Sequence, residues 1–305
     1  MYIAYGDLNR ADCEAYFAKK GTRSGLYRDS VTEELISKIG QALPVRVAKS
    51  RLVRLPVGPG QPPDVRFMSR NFVRRGEQLL THGLEIVAQY LNSQPDEVHS
   101  VFDLGDSRSE HRFYTVHHMV EVLRWHCRRD DERAAVLNGF ARMLAFDALV
   151  GAPDRHAMNW GLLIPRDNTQ PKEFAPLFDT ARGMFRELTD DDLKKIERNG
   201  LRDEFNENYA RRSRPVLGIG EVGPKRCNHF ELVQCALNDF PAELGITIGR
   251  FIRGVRVPEV EMVVRRGFRR IISTTRVSFI LGLLRHRYDL LKELVEKSSK
   301  IQVKR

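Results

Sequence analysis

The spacing of apolar and polar positions changes along the chain, and this change predicts two structural regions. In the first hundred residues short apolar runs alternate with glycine and proline breaks, and residues 15–19, 45–55 and 65–68 are typical of strands. One helix interrupts them, because apolar residues recur every three or four positions over residues 30–40 and end at Gly40, a residue suited to a helix C-terminus. The pattern therefore predicts a small α/β region.

From about residue 77 onward the spacing becomes that of amphipathic helices. The predicted helices span residues 77–91, 115–127, 131–150, 228–240 and 260–297. The change of pattern places a boundary near residues 92–112. We therefore expect a small α/β domain over residues 1–100 and a mainly helical domain over residues 101–305.

Composition favours a folded protein of the cytoplasm. The chain has 305 residues, of which 42% are hydrophobic, so it can bury a sizeable core. No run approaches the roughly 18 apolar residues of a membrane span, and no signal peptide is recognisable, so we expect a soluble protein that contacts no membrane. The four cysteines, Cys13, Cys127, Cys227 and Cys235, form no C-x-x-C pair, which predicts neither disulfides nor a zinc knuckle.

The net charge of +10 is concentrated towards the C-terminal end. Residues 250–305 contain 15 Lys and Arg against 5 Asp and Glu, which accounts for the whole excess. Arginine pairs alternate there with apolar pairs, as in amphipathic helices that close a helical domain. The basic face is either a solvated surface or a contact for nucleic acid or an acidic partner protein.

Polar residues able to support catalysis follow the helix predicted at residues 131–150. That helix stops at Gly151, and Asp154, His156 and Asn159 come next on a predicted loop. Asp154 and Asn159 are five residues apart, the spacing of the catalytic-loop aspartate and the metal-binding asparagine in protein kinases. The alternative is an ordinary helix-capping turn in which Asp154 accepts backbone N–H groups.

A second carboxylate stands at the end of a short apolar run. Residues 174–178 are mostly apolar and Asp179 follows them, as in a strand that delivers a metal ligand. Phosphoryl transfer needs a carboxylate beside the attacking hydroxyl and oxygen ligands for magnesium. Asp154, Asn159 and Asp179 together supply both.

The segments GAPDRHAMN, residues 151–159, and APLFD, residues 175–179, resemble the catalytic and metal-binding loops of HipA-like kinases. Phosphatidylinositol kinases share the Asp-Arg-His-x-x-Asn core. The resemblance implies an α+β, bilobed protein-kinase-like fold with a small α/β N-lobe and a larger, mainly helical C-lobe. It also implies a serine/threonine kinase that uses ATP and Mg²⁺, phosphorylates a protein substrate and itself, and acts as a toxin paired with an antitoxin.

The resemblance assigns roles residue by residue. Asp154 would be the catalytic base, Asn159 and Asp179 would hold magnesium, and His156 would brace the loop. Arg155 would be structural or would face phosphate. Kinases also pair a strand lysine with a helix glutamate. Here Lys19 and Glu33 are the first candidates for the ATP site, and Lys20 and Glu34 are the second.

The front of the chain departs from the kinase pattern, because Gly6 is the one glycine among the residues before Lys19. An abbreviated loop, a strand from an N-terminal partner protein, or a degenerate kinase would each account for this.

The sequence GIGEVG at residues 218–223 matches the G-x-G-x-x-G pattern of a phosphate-binding loop, but Pro224 interrupts it, so we interpret it as a turn. His111, His117, His118 and His126 lack metal-ligand spacing and are interpreted as surface or packed histidines.

Two other functions stay open at this point. The shared Asp-Arg-His-x-x-Asn core is also consistent with a kinase of phosphoinositides or of a small alcohol. A pseudokinase that serves as a binding module, docking nucleic acid through residues 250–305, is the second alternative.

Overall fold

The computed structural model describes residues 3–5, 15–19, 28–55, 64–98, 114–167, 170–180, 182–220 and 226–302. Within these residues the strands are β1 (Ile3–Tyr5), β2 (Tyr16–Lys19), β3 (Ser50–Leu55), β4 (Asp64–Arg70), β5 (Gln78–His82), β6 (Gly161–Pro165) and β7 (Glu173–Phe174). The α-helices are α1 (Arg28–Gln41), α2 (Gly83–Leu91), α3 (Val116–His126), α4 (Asp130–Val150), α5 (Asp190–Arg198), α6 (Arg202–Arg212), α7 (His229–Asp239), α8 (Ile246–Gly254), α9 (Val257–Phe268) and α10 (Thr274–Gln302). One turn of π-helix, Pro241–Gly245, lies between α7 and α8.

The chain divides into two compact units, each built from separate segments. The first unit comprises Met1–Phe72, Pro176–Arg202 and Arg256–Leu281. The second unit comprises Val73–Ala175, Asp203–Val255 and Gly282–Arg305. The division at residues 1–100 and 101–305 stays a prediction.

The first unit contains an antiparallel sheet of four strands in the order β1-β2-β4-β3. Helix α1 packs on β3 and β4, because its apolar positions fall on one face and are buried there. The buried apolar residues of this helix are Val31, Leu35, Ile36 and Ile39. The predicted strand at residues 15–19 and helix at residues 30–40 are therefore confirmed.

The second unit is mainly helical and has a small antiparallel sheet in the order β5-β6-β7. Helix α4 lies at its centre and contacts β7, α7 and α8. The helices predicted at residues 115–127, 131–150 and 228–240 are confirmed as α3, α4 and α7. Among the described residues, no helix is long and apolar enough to cross a membrane.

Two predicted helices are wrong in part. The sequence pattern predicts one helix over residues 77–91, but Gln78–His82 forms β5, because its backbone pairs with β6 more than 75 residues later. Residues 260–297 form two helices, and the second begins after Ser273, whose hydroxyl oxygen accepts a hydrogen bond from the Arg276 N–H over 3.2 Å. This bond is an N-terminal capping contact, and it marks a helix start inside the predicted span.

Candidate active site

A glycine ends α4 and turns the chain into the loop of residues 151–160. Gly151 has a φ of 69°, in the left-handed region that favours glycine, and its N–H donates to the Asp147 carbonyl oxygen over 2.8 Å. A Cβ atom at this position would lie 3.2 Å from the Arg287 guanidinium carbon. The turn therefore favours glycine for its conformation, and a larger residue would also have to displace the buried Arg287 side chain.

The loop is held by Arg155, whose side chain is almost fully buried. Its Nε and Nη2 atoms donate to both carboxylate oxygens of Asp147, over 2.8 and 2.9 Å, and its Nη1 donates to the Asn159 carbonyl oxygen over 2.8 Å. Burial raises the pKa of the Asp147 carboxyl group, and the positive charge of Arg155 opposes that rise. The Arg155 side chain thus connects the last turn of α4 to the far end of the loop, which is a structural role.

The structure brings Asp154, His156 and Asn159 into one hydrogen-bonded turn. The Asn159 amide nitrogen Nδ2 donates to the Asp154 carbonyl oxygen over 2.8 Å, and the Asn159 N–H donates to the His156 carbonyl oxygen over 2.9 Å. The Met158 N–H donates to His156 Nδ1 over 3.3 Å. Strand β6 follows this turn rather than a helix, so the alternative of a helix-capping turn at Asp154 is wrong.

The donor set of this turn fits a magnesium ion. Magnesium takes oxygen ligands from carboxylates and amides. Because Asn159 uses its Nδ2 atom towards Asp154, the oxygen Oδ1 is the end of the amide that is left for a metal. Asp154 is half-buried and Asn159 is buried, so the turn combines a reachable carboxylate with a positioned amide.

Two buried aromatic residues, Tyr114 and Trp160, also support the loop, and the sequence analysis did not identify them. The Tyr114 hydroxyl donates to the Arg155 carbonyl oxygen over 2.8 Å and accepts from Trp160 Nε1 over 2.7 Å. Burial raises the pKa of Tyr114, so this hydroxyl keeps its proton and remains a donor. Trp160 also stacks on Phe174 with ring centroids 5.7 Å apart. In the sequence, the aromatic residue Trp160 directly after the motif was the feature that could have indicated this support.

The start of the loop contacts a buried histidine and a buried arginine. The ring nitrogens of His229 lie 3.0 Å from the Ala152 carbonyl oxygen and 3.1 Å from the Ser213 carbonyl oxygen. Arg287 donates from Nε to the Ala148 carbonyl oxygen over 2.6 Å. Burial, together with the charge of Arg287, lowers the pKa of His229 to about 3, although both carbonyl oxygens favour a protonated ring. The ring is therefore neutral at pH 7 and can donate to one carbonyl at a time.

We expect His229 to make the protein less stable as the pH falls. The unfolded histidine takes up a proton near pH 6.5, whereas the folded one does so only near pH 3, so the unfolded state binds more protons between these values. The free energy of unfolding should fall by about 1.4 kcal/mol for each pH unit below 6.5 through this residue alone. Urea unfolding of the wild type and His229→Gln at pH 4.5 to 8 measures the difference in slope. Equal slopes would show that folding does not lower the pKa of His229.

Asp179 lies in the first unit, two residues after Leu177, whose backbone pairs with residues 46–48. The Leu177 N–H donates to the Arg46 carbonyl oxygen, and the Ala48 N–H donates to the Leu177 carbonyl oxygen, both over 2.8 Å. Asp179 follows with a φ of 55°, a conformation that costs most non-glycine residues about 1–2 kcal/mol. The predicted strand is shorter than expected, since β7 ends at Phe174 and Leu177 forms only an isolated bridge with Val47.

The chain beyond Asp179 is held by arginines of the same unit. Met184 and Phe185 also have left-handed φ values, 49° and 61°. Arg276 donates to the Phe185 carbonyl oxygen over 2.9 Å and to Asp190 over 2.7 Å. Left-handed bulky residues persist where surrounding contacts hold them and are often found at functional sites. The contacts of Arg276 therefore support the strained backbone at Met184 and Phe185.

The residues predicted for the ATP site lie in the first unit. Lys19 is the last residue of β2 and pairs with Phe67, whereas its side chain and the whole of Lys20 lie outside the described residues. Glu33 is buried on α1, and the reserve candidate Glu34 is buried and forms an ion pair with Lys38 over 3.5 Å. The pairing of Lys19 with Glu33 stays a prediction.

Part of the glycine-rich segment at residues 218–223 can be placed. The Gly218 N–H donates to the Tyr114 carbonyl oxygen over 2.9 Å, and its carbonyl oxygen accepts from the Val116 N–H over 3.0 Å. Residues 221–225 lie outside the described residues. Gly218 thus makes backbone pairing within the second unit, and the interpretation of residues 218–223 as a turn stays a prediction. Of the four histidines noted in the sequence, His111 also lies outside the described residues.

Comparison with solved structures identifies the fold. The chain is similar to the Helicobacter pylori proinflammatory kinase CtkA, with a TM-score of 0.74 and 15% identity over 99% of this chain and 92% of that one. It also matches HipA in a complex of the Shewanella oneidensis MR-1 toxin–antitoxin system HipA, HipB and operator DNA, with a TM-score of 0.49 and 12% identity over 92% of this chain and 58% of that one. Comparison with curated protein sequences gave no match.

The CtkA match shows an α+β, protein-kinase-like fold, which confirms the predicted fold class. The family follows from the sequence itself. The family model described as HipA-like C-terminal domain matches residues 4–221, so the chain belongs to that family. The predicted resemblance to HipA-like kinases is confirmed.

Proposed function

We propose that this protein is a magnesium-dependent kinase that transfers the γ-phosphate of ATP to a serine or threonine hydroxyl of a protein. Membership of the HipA-like family and the kinase-like fold support the class of reaction. The observation that carries the proposal is the turn in which Asp154 and Asn159 are joined by a hydrogen bond and braced by Arg155. In this proposal the turn fixes the backbone at Asp154 and the amide of Asn159, so that a base and a metal ligand would stand in place before substrate binds.

Asp154 acts as the base in the proposed reaction. Its carboxylate takes the proton of the attacking hydroxyl as the new oxygen–phosphorus bond forms and the bond between the γ-phosphorus and the bridging oxygen breaks. ADP leaves with the electrons of the broken bond. Magnesium bound through Asn159 and Asp179 would neutralise charge on the phosphates. His156, with Nδ1 accepting from the Met158 N–H, helps to keep the turn in shape.

The first test is transfer of label from ATP carrying a radioactive γ-phosphate. We expect wild-type protein with Mg²⁺ to label itself or an added protein acceptor, and EDTA to stop the labelling. Asp179→Asn should reduce labelling at least about 10- to 100-fold at fixed Mg²⁺, since it removes a charged metal ligand. Asp191→Asn is the matched control, because Asp191 is an exposed carboxylate of the same unit.

The outcome separates the proposal from its rivals. Equal labelling by wild type and Asp179→Asn would remove Asp179 from the site. Labelling of phosphoinositide or a small alcohol but not of protein would favour the first rival function. No nucleotide turnover, together with salt-dependent DNA binding, would favour a binding module.

The acceptor hydroxyl can be found by mass spectrometry after incubation with ATP. Ser24, Ser30, Ser69, Thr180 and Ser213 are candidates by residue type and position in or near loops. Ser30 and Thr180 are buried, so their phosphorylation would require local opening, and Ser69 and Ser213 are better exposed. A toxin role, an antitoxin partner, an N-terminal partner, contact of residues 250–305 with nucleic acid and a cytoplasmic location stay predictions.

A further inference from the structure

Three side chains with metal-binding atoms meet in the second unit, away from the turn of Asp154. His117 lies on α3, and Cys235 and Asp239 lie one turn apart on α7. One ligand atom from each lies within 4.8 Å of the other two. The contacts are 3.1 Å from His117 Nε2 to Asp239 Oδ2, 3.3 Å from Cys235 Sγ to Asp239 Oδ2, and 3.9 Å from Cys235 Sγ to His117 Nδ1.

These distances suit a small tetrahedral ion. Zinc binds cysteine sulfur at about 2.3 Å and histidine nitrogen or carboxylate oxygen at about 2.0–2.2 Å, which places ligand atoms around a tetrahedral centre roughly 3.4–3.6 Å from one another. The two contacts of Asp239 Oδ2, with His117 Nε2 and with Cys235 Sγ, lie within about 0.3 Å of that separation. The ligand atoms of His117 and Cys235 lie within 4.8 Å of each other, so rotation of these two side chains would bring the third pair to the same separation. Sulfur, imidazole nitrogen and carboxylate oxygen together are donors that zinc accepts and that magnesium or calcium does not favour.

The surroundings hold the ligands and leave access from solvent. Cys235 and Asp239 are four residues apart on one helix and therefore face the same side. The Phe240 ring packs edge-on against the His117 ring with centroids 5.1 Å apart. The His117 side chain is 15% exposed and that of Asp239 is 48% exposed, so an ion can enter without opening the core.

We propose that His117, Cys235 and Asp239 bind one Zn²⁺ ion that links α3 to α7, with a water molecule as the fourth ligand. This site is independent of the proposed kinase reaction. Its ligands come from helices more than 100 residues apart in the chain, so neither the cysteine spacing nor the histidine run revealed it.

Metal binding to the purified full-length protein tests this proposal. After removal of metals with EDTA, the protein is titrated with Zn²⁺ in competition with a chromogenic chelator. We expect one zinc ion per chain and a rise in the thermal unfolding temperature, because the ion binds the folded state. Co²⁺ in place of Zn²⁺ should give a thiolate-to-cobalt charge-transfer absorption, which reports a bond to sulfur.

Matched variants show which thiol and carboxylate are involved. Cys235→Ser and Asp239→Asn should each weaken zinc binding at least about tenfold, and Cys235→Ser should remove the charge-transfer absorption. Cys127→Ser is the control, since Cys127 is a buried cysteine of the same unit that lies outside this group. Zinc binding with unchanged affinity in Cys235→Ser, or no binding by the wild type, would overturn the proposal and leave the cluster as hydrogen bonds alone.

Discussion

Asp154→Asn should lower the rate of phosphoryl transfer by about 10²- to 10⁴-fold, the usual contribution of a positioned base. The substitution keeps the size of the side chain and one oxygen, but the amide cannot take the proton of the attacking hydroxyl. The hydrogen bond from Asn159 goes to the backbone oxygen of Asp154, so it does not depend on the carboxylate. We therefore expect the fold to persist while the rate falls. Initial rates of label transfer at saturating ATP measure the change.

The control for this prediction is Asp130→Asn. Asp130 is 94% exposed at the start of α4 in the same unit, so its substitution removes an equal charge without touching the turn. Thermal unfolding of both variants checks that they are folded. If Asp154→Asn transfers phosphate at the wild-type rate while Asp130→Asn does the same, then Asp154 is not the base and the proposed mechanism fails.

Arg155→Met should destabilise the protein by about 3–5 kcal/mol, because it leaves Asp147 as a buried carboxylate without its partner. The pair is almost fully buried, with 4% and 6% of the two side chains exposed. The substitution also removes the donor to the Asn159 carbonyl oxygen. Urea unfolding at pH 7 gives the free energy of unfolding, and phosphate transfer at low temperature gives the activity of the folded fraction.

A double variant separates the charge from the support of the loop. Asp147→Leu combined with Arg155→Met replaces the whole ion pair by apolar groups, which is often neutral or stabilising. We expect the double variant to regain most of the lost stability and to stay low in activity, since Asn159 still lacks its donor. A loss below about 1 kcal/mol in Arg155→Met would mean that the pair contributes no more than a surface ion pair.

Helices whose ends carry local signals could be predicted from the sequence. Thr115 accepts from the His118 N–H at the start of α3, and Asn228 accepts from two N–H groups at the start of α7. Gly151 supplies the left-handed residue that ends α4. These contacts involve residues within four positions of one another, so the sequence contains all of their partners.

Strand β5 and the break between α9 and α10 could not be predicted in the same way. The apolar positions of residues 78–82 are compatible with a helix or a strand, and pairing with β6 decides between them. The candidate site shows the same division. Asp154, His156 and Asn159 occupy one short loop and could be found by spacing, whereas the support from Tyr114 reaches across 41 residues.

The sequence by itself determined the family motif, the local helices and the order of Asp154, Asn159 and Asp179, because each depends on neighbours in the chain. Only the tertiary structure decided which buried side chains hold the loop of residues 151–160, and which residues distant in sequence form the proposed zinc site. Arg155 was recognisable as a residue of the motif, but its ion pair with Asp147 became evident only when both side chains were seen to share one desolvated space. The meeting of His117 with Cys235 and Asp239 likewise depends on the packing of two helices, which no local spacing encodes.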